Sequence, residues 1–318
     1  MTEAPERWLA DLLLEGAPLD EVERQLQAAG FAADEALQAI ETVLCSPIFQ
    51  AARPKVQLAQ RLAAAAELHL QVTEDGGPVP RHNQLTAERF YSTWLRHHQP
   101  VVLEGFAQHW PALSWTPQSI AEALGDEPIE VLSGRTSADH PDRDYRQLRH
   151  AMNPRDFAAL IQSSGASNDV YLVARNHLMQ RPAAARLLDD IPISSDWVRR
   201  DNLSTCCSLW MGPAGTFTAA HHDTCSALFV QLVGRKRFEL ASPLQIDALS
   251  ELEPYYLSHR NLNDVCDGVR VAELEPGDAL LLPVGWWHQA TALSVSVGMS
   301  FNGLHVANRF DAYCPGRL

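Results

Sequence analysis

Residues 215–225 read GTFTAAHHDTC, with two adjacent histidines, His221 and His222, followed at once by Asp223. In an extended strand, residues i and i+2 share a face. His221 and Asp223 therefore project together and His222 projects the other way, with Ala220 and Thr224 as its own i±2 neighbours. A histidine and a carboxylate on one face are two ligands, and a metal site needs more. GDALLLPVGWWHQATAL (277–293) supplies a second imidazole, His288, 65 residues beyond Asp223, after a Pro-Val-Gly corner. Two histidines and one carboxylate leave coordination positions open on a metal. That is the facial set of non-haem Fe(II) oxygenases, and it suits iron better than zinc when a bidentate co-substrate and O₂ must also bind.

A cation adds to this set. The chain has only two lysines, Lys55 and Lys236. After Gly234-Arg235, read as a hairpin turn, the strand KRFEL puts Lys236, Phe238 and Leu240 on one face and Arg237 and Glu239 on the other. Lys236 thus points inward with apolar residues. A buried ammonium needs an anion, and a dicarboxylic co-substrate provides one. No Ser/His/Asp or Cys/His arrangement for nucleophilic catalysis accompanies the set. Cys206, Cys207 and Cys225 read as small core residues.

The elements that must position these side chains fall in two parts. Over residues 1–73 apolar residues recur at helical spacing (Trp8, Leu9, Leu12, Leu13; Leu19, Val22, Leu26; Ala36, Leu37, Ile40, Val43), with stops at Gly16, Gly30 and Ser46-Pro47. A longer helix is expected within residues 52–71. The glycines and prolines of TEDGGPVPRH (73–82) mark a boundary, giving a helical docking or dimerisation module over 1–78 and a second domain over 79–318. Beyond it, short β-rich segments appear at 100–105, 128–134, 169–174, 207–212, 226–233, 236–242, 278–283 and 294–301, with a helix in NPRDFAALIQSSG (153–165). Many short strands with turn signals imply a mainly β barrel or double-sheet roll.

Composition narrows the function classes. The 318-residue chain carries a net charge of −14, which disfavours nucleic acid or an anionic membrane as the main partner. Residues 1–80 hold 13 acidic and 5 basic residues, net −8. No apolar run is long enough to span a bilayer and the N-terminus lacks a signal-peptide pattern. The six cysteines form no C-x-x-C pair, the pattern of reduced thiols in a cytoplasm.

With these residues in place, the chain resembles a JmjC-type, cupin-like Fe(II)/2-oxoglutarate oxygenase. It is similar in pattern to bacterial cupin-like proteins and to the asparaginyl hydroxylase that inhibits hypoxia-inducible factor. The resemblance covers about residues 79–305 and rests on VPRHNQLTAERFYSTWLRHHQPVVLEGFAQHWPAL (79–113), GPAGTFTAAHHDTCSALFVQLVGRKRF (212–238) and LEPGDALLLPVGWWHQATALSVSVGMSFN (274–302). It implies a double-stranded β-helix of the jelly-roll or cupin class, with Fe(II) on His221, Asp223 and His288. It places Lys236 on the distal carboxylate of 2-oxoglutarate, helped by Thr218 and Tyr171. Strict alternation would put Thr218 on the face opposite His221 unless the strand bends near Ala219-Ala220. Ser300 and Ala227 stand near the keto acid, where relatives carry asparagine. The activity implied is hydroxylation of a C–H bond in a peptide or protein side chain, using O₂, and its chemistry implies no catalytic group beyond the metal ligands. Oxidation of a free amino acid or small metabolite, and a non-enzymatic cupin acting as a binding module, are the alternatives. Demethylation is a further alternative for this fold, and a homodimer is a candidate assembly.

Overall fold

The computed structural model describes residues 5–73, 77–174, 177–250 and 260–310. It forms two compact units, Met1–Glu74 and Asp75–Leu318.

The first unit contains helices α1 (Pro5–Glu15), α2 (Leu19–Ala28), α3 (Ala33–Cys45) and α4 (Pro47–Thr73). The chain turns at Gly16 and Gly30 with φ of 88° and 103°, a region glycine enters without a Cβ clash. Ser46 alone separates α3 from α4, and Pro47 opens α4, where its missing N–H costs nothing. Leu9, Leu13, Val22, Leu26, Ala36 and Ile40 are buried together, so this unit has its own core.

The second unit is a double-sheet roll. Its strands are β1 (Arg81–His82), β2 (Val101–Leu103), β3 (Ile129–Leu132), β4 (Arg149–Met152), β5 (Cys207–Gly212), β6 (Phe217–His221), β7 (Ala227–Val233), β8 (Lys236–Ala241), β9 (Arg270–Leu274), β10 (Ala279–Leu282), β11 (Trp287–Ala292) and β12 (Ser296–Phe301). One sheet has the order β1-β2-β10-β7-β12-β5, the other β6-β11-β8-β9, and β3 pairs with β4 apart from both. The expected helix of 153–165 is present as Pro154–Ser163, capped by the Asn153 side chain on the Arg155 N–H.

The apolar runs of β7 and β10 follow from this layering. Leu228, Val230 and Leu232 of β7, with Ala279 and Leu281 of β10, join the larger core on the outer side of the six-stranded sheet. Phe229, Leu280 and Leu282 face the other way and meet Phe238 and Leu240 of β8. Both faces of the central strands are buried, so the strands read as continuous hydrophobic runs.

Two expectations need correction. DVYLVA (169–174) forms no strand: Tyr171 bridges Leu132 and Leu172 bridges Met211, one residue to each neighbour, so the segment crosses between two edges and builds no ladder. Gly234-Arg235 is not a hairpin turn. β7 lies in the six-stranded sheet and β8 in the four-stranded one, so the chain steps between sheets there. Gly234 has φ 67°, and a Cβ on it would lie 1.9 Å from the Val295 carbonyl oxygen, so only glycine fits. The Arg235 N–H is taken up by Ser294 Oγ, not by a cross-strand partner.

The five described cysteines are free thiols; Cys314 lies outside the described residues. Among the described residues no helix is long and apolar enough to cross a membrane.

Candidate metal centre

β6 and β11 are neighbours in the four-stranded sheet, and their register brings two histidines side by side: His288 pairs with His221, and Ala290 with Thr218. Three steps along β6 thus match two along β11, so β6 carries an extra residue, a bulge, at Ala219-Ala220. The bulge reverses the parity. Thr218 and His221, which strict alternation would separate, line the same cavity. Ala220 is buried on the other side with Trp287.

β6 ends at His221, and Asp223 lies two residues on, in the following turn. That turn is tied to the corner ahead of His288: Gly285 N–H donates to the Asp223 carbonyl (3.1 Å) and Val284 N–H to Ser226 Oγ (3.0 Å). His98 holds the corner from the far side, with Trp286 Nε1–H on its carbonyl (2.9 Å) and its own Nε2 against the Val284 carbonyl (2.6 Å). His222 points away and meets the Trp287 ring edge-on, centroids 5.1 Å apart; burial pushes its pKa down.

His221, Asp223 and His288 form a group whose potential ligand atoms all lie within 4.8 Å of one another. Nδ1 of His221 meets the Ala219 carbonyl at 2.8 Å, and Nδ1 of His288 meets the Trp286 carbonyl at 2.9 Å. Each Nδ1 therefore carries the proton and each Nε2 presents its lone pair inward, the tautomer a metal needs. His288 is buried, and its pKa is pushed down to about 4, by burial first and then by His221 nearby. A neutral imidazole at pH 7 is ready to ligate. The donor set of two imidazoles and one carboxylate, with no thiolate among them, fits a divalent iron with open positions.

The cavity beside this group lies between the two sheets and measures about 210 Å³. Pockets for drug-sized ligands measure roughly 300–1,000 Å³, so this smaller space suits a short diacid. Lys236 lines it and is 4% exposed. Its Nζ donates to the Tyr171 hydroxyl at 2.9 Å and lies 5.1–5.6 Å from the ring centres of Phe229, Tyr171, Trp210 and Phe238. Among the described residues no carboxylate pairs with it. Aromatic faces offset part of the cost of burying an ammonium, yet the positive charge still lies in the buried wall of the cavity that the His-Asp-His group lines. Thr218, Ser300 and Ala227 line the same cavity, and Tyr171 supports it through Lys236. Trp210 Nε1–H donates to Ser300 Oγ at 3.1 Å, which leaves the serine proton free to point elsewhere.

Several lining or supporting residues escape sequence reasoning. Trp210 was within reach, since alternation along CSLWMG places it beside Ser208, which also lines the cavity. Asp142 and Tyr145 also line it, from the long connection between β3 and β4. Nothing local in that connection points to the centre. Asn308 brackets the ligand turn by bonding both the N–H and the carbonyl of Ser226 (2.7 and 2.8 Å).

Residues 87–308 match the profile of the family described as "Cupin-like domain". The chain is 27% identical over 251 residues to a Xenopus tropicalis protein named lysine-specific demethylase 8, covering 74% of this chain and 54% of that one. It is 29% identical over 243 residues to Drosophila melanogaster Jumonji C domain-containing protein 5, covering 70% and 59%. A Gibberella zeae tRNA wybutosine-synthesizing protein 4 matches at 24% over 283 residues, covering 78% of this chain and 26% of that protein. The chain spans little more than half the length of the first two.

Proposed function

Because the chain belongs to the cupin-like domain family, in its JmjC-type branch, we propose that it is an Fe(II)- and 2-oxoglutarate-dependent oxygenase that hydroxylates a C–H bond of a peptide or protein side chain. One observation carries this reading. A buried lysine that has no carboxylate partner among the described residues and a His-Asp-His group open into one small cavity between the sheets. A metal site alone would fit many chemistries. A cation enclosed in the same space selects a co-substrate with a carboxylate at its far end.

When bound, iron and 2-oxoglutarate supply the oxidising power: O₂ is split, the keto acid leaves as succinate and CO₂, and one oxygen atom enters the substrate C–H bond. The chain's own residues bind, orient and exclude water. His221, Asp223 and His288 hold the metal. Lys236, with Tyr171 fixing its ammonium, holds the distal carboxylate, and Thr218 and Ser300 contribute hydroxyls. The Asp223 side chain is 45% exposed while that of His288 is 5% exposed. The group therefore opens to solvent on the aspartate side and is closed toward Lys236. A side chain of a larger molecule reaches it from the open side, while the co-substrate occupies the closed one. The same oxidation at an N-methyl carbon releases formaldehyde, so demethylation differs only in which hydrogen is offered.

The helical unit contributes none of these side chains. With its own core and its acidic surplus, it serves as a docking or dimerisation module.

The test is anaerobic titration of the full chain with Fe(II) and 2-oxoglutarate, followed by mass spectrometry of basic and neutral peptides exposed to air. The expected result is a visible charge-transfer band on adding 2-oxoglutarate and a gain of one oxygen, or loss of a methyl group, in a peptide. Absence of the band, or oxidation of free amino acids in preference to every peptide, would overturn the reading.

A further inference from the structure

β6 is an edge strand of the four-stranded sheet, with β11 on one side only. Its outer backbone groups need partners from elsewhere. They are met by side chains. Asn168 Oδ1 accepts from Phe217 N–H (2.9 Å), Arg135 Nη2 donates to the Phe217 carbonyl (2.7 Å), and Asp142 Oδ2 accepts from Ala219 N–H (2.8 Å). The three are joined. Arg135 Nη1 donates to Asp142 Oδ1 at 2.8 Å, and Arg135 Nε donates to the Asn168 carbonyl at 3.2 Å. The Arg135 side chain is fully buried, and that of Asp142 is 12% exposed.

Ala219 lies within the register shift between β6 and β11, and its N–H, on the open edge of β6, has Asp142 Oδ2 as its acceptor. We propose that Asp142, held in place by the buried Arg135, is a positioning residue that fixes the β6 bulge and so sets Thr218 and His221 on one face of the cavity. This rests on the co-substrate role given above to Thr218. The physical logic is direct. Without an acceptor at that point, the unmet amide favours return to regular alternation, and a one-residue change of register turns Thr218 out of the cavity. The Ala219 carbonyl also accepts from His221 Nδ1, so the same residue is held by Asp142 through its N–H and orients a candidate ligand through its oxygen.

The test is a double-mutant cycle on 2-oxoglutarate binding to the Fe(II)-loaded full chain, with Asp142→Ala and Thr218→Val. Each single change is expected to weaken binding roughly tenfold, the size of one charge-assisted or buried hydrogen bond. The double variant is expected to be no weaker than the worse single variant, within about twofold, because Asp142 acts through Thr218. A purely structural role gives multiplying losses, about a hundredfold in the double variant, and overturns the proposal. Asp142→Ala alone strands a buried guanidinium, so Arg135→Met/Asp142→Ala, which removes both charges, is run beside it. Amide hydrogen exchange at Ala219 reads the clamp without any co-substrate. It is expected to speed up at least tenfold in both Asp142 variants; unchanged protection overturns the proposal. If the wild type binds no 2-oxoglutarate, the proposed function fails while this exchange still decides the clamp.

Discussion

His221 and His288 lie against each other on adjacent strands, ring centroids 4.2 Å apart, and each has its Nδ1 tied to the backbone carbonyl two residues before it. The two-residue reach back is the same on β6 and β11, so both Nε2 atoms converge toward the side where Asp223 Oδ2 stands 3.9 Å from His288 Nε2. The backbone has set both tautomers, and the metal need not select them.

From this follows a sharp contrast among neighbours. His221→Ala, Asp223→Ala and His288→Ala are each expected to weaken Fe(II) binding by more than the roughly 10–100-fold typical of losing an outer hydrogen-bond partner of a ligand. His222→Ala is expected to keep Fe(II) affinity, because its ring packs on Trp287 away from the group. Anaerobic metal titration of the four variants checks this. Loss of metal in the His222 variant alone would refute the ligand assignment.

Lys236→Ala is expected to weaken 2-oxoglutarate binding roughly 10- to 100-fold, the size of a charge-assisted contact, while leaving Fe(II) affinity within a few-fold. Lys236→Arg is expected to recover only part of that loss. The ring centres around Nζ stand 5.1–5.6 Å away, a shell sized for a compact ammonium, and a planar guanidinium has to displace one of the rings. Calorimetric titration with 2-oxoglutarate distinguishes these outcomes. Undiminished affinity in the alanine variant would remove Lys236 from the site.

The inward aim of Lys236 and the opposite facing of His221 and His222 were legible from a period of two along strands. Asp223 lies in the turn after β6, beyond strand alternation, and His288 was legible from its residue type and its place after the Pro-Val-Gly corner. Thr218 was not legible from alternation. Its placement depends on a bulge held by Asp142, 77 residues away, and no local pattern encodes that partner. Gly234-Arg235 misled for a related reason. A glycine with positive φ serves a hairpin and a step between sheets equally well, and only the distant choice of strand partners separates the two. The run DVYLVA has strand composition yet finds one bridge on each side, because composition reports burial more than ladder length. The first three helices were legible from their apolar period and stops, which are local, whereas α4 begins at Pro47 and runs through Pro54, beyond the 52–71 expected for it.

Gly298 of β12 tests the packing beneath the lysine. A Cβ there would lie 2.3 Å from Phe229 Cζ, so the glycine is what lets the Phe229 ring lie flat below Nζ, edge-on to Phe238 at 4.9 Å. Gly298→Ala is expected to cost about 1–3 kcal/mol of stability, the usual range for overpacking a core, and to weaken 2-oxoglutarate binding as the ring is pushed into the cavity. Phe229→Leu in the same chain is expected to restore much of the stability. Denaturant melts of the single and double variants check this; an additive loss would mean that the ring is not what the glycine accommodates.

The two units give the last expectation. Val79 is buried in the inter-sheet core, and Val79 N–H donates to the Val271 carbonyl at 3.0 Å, so the roll begins at or before Pro78. The first unit has a separate core built from Leu9, Leu13, Val22 and Leu26. A chain started at Gly77 therefore loses no strand of the roll and none of the residues assigned to iron or 2-oxoglutarate. It is expected to bind both within a few-fold of the full chain. It is also expected to lose turnover on the true peptide substrate, or a dimeric state, because docking or dimerisation is the role given to the helices. Their net −8 over residues 1–80 makes the first outcome salt-dependent. A basic peptide attracted by that surface is expected to show a KM that rises with ionic strength in the full chain and is flat in the shortened one, since about 10 Å screening lengths at 0.1 M salt cut off such attraction. The measurement is KM against salt for both chains, with sedimentation to read their mass. A shortened chain that stays monomeric like the full one, and turns over the same peptide with the same KM at every salt, would show that the helices neither dock substrate nor hold a dimer.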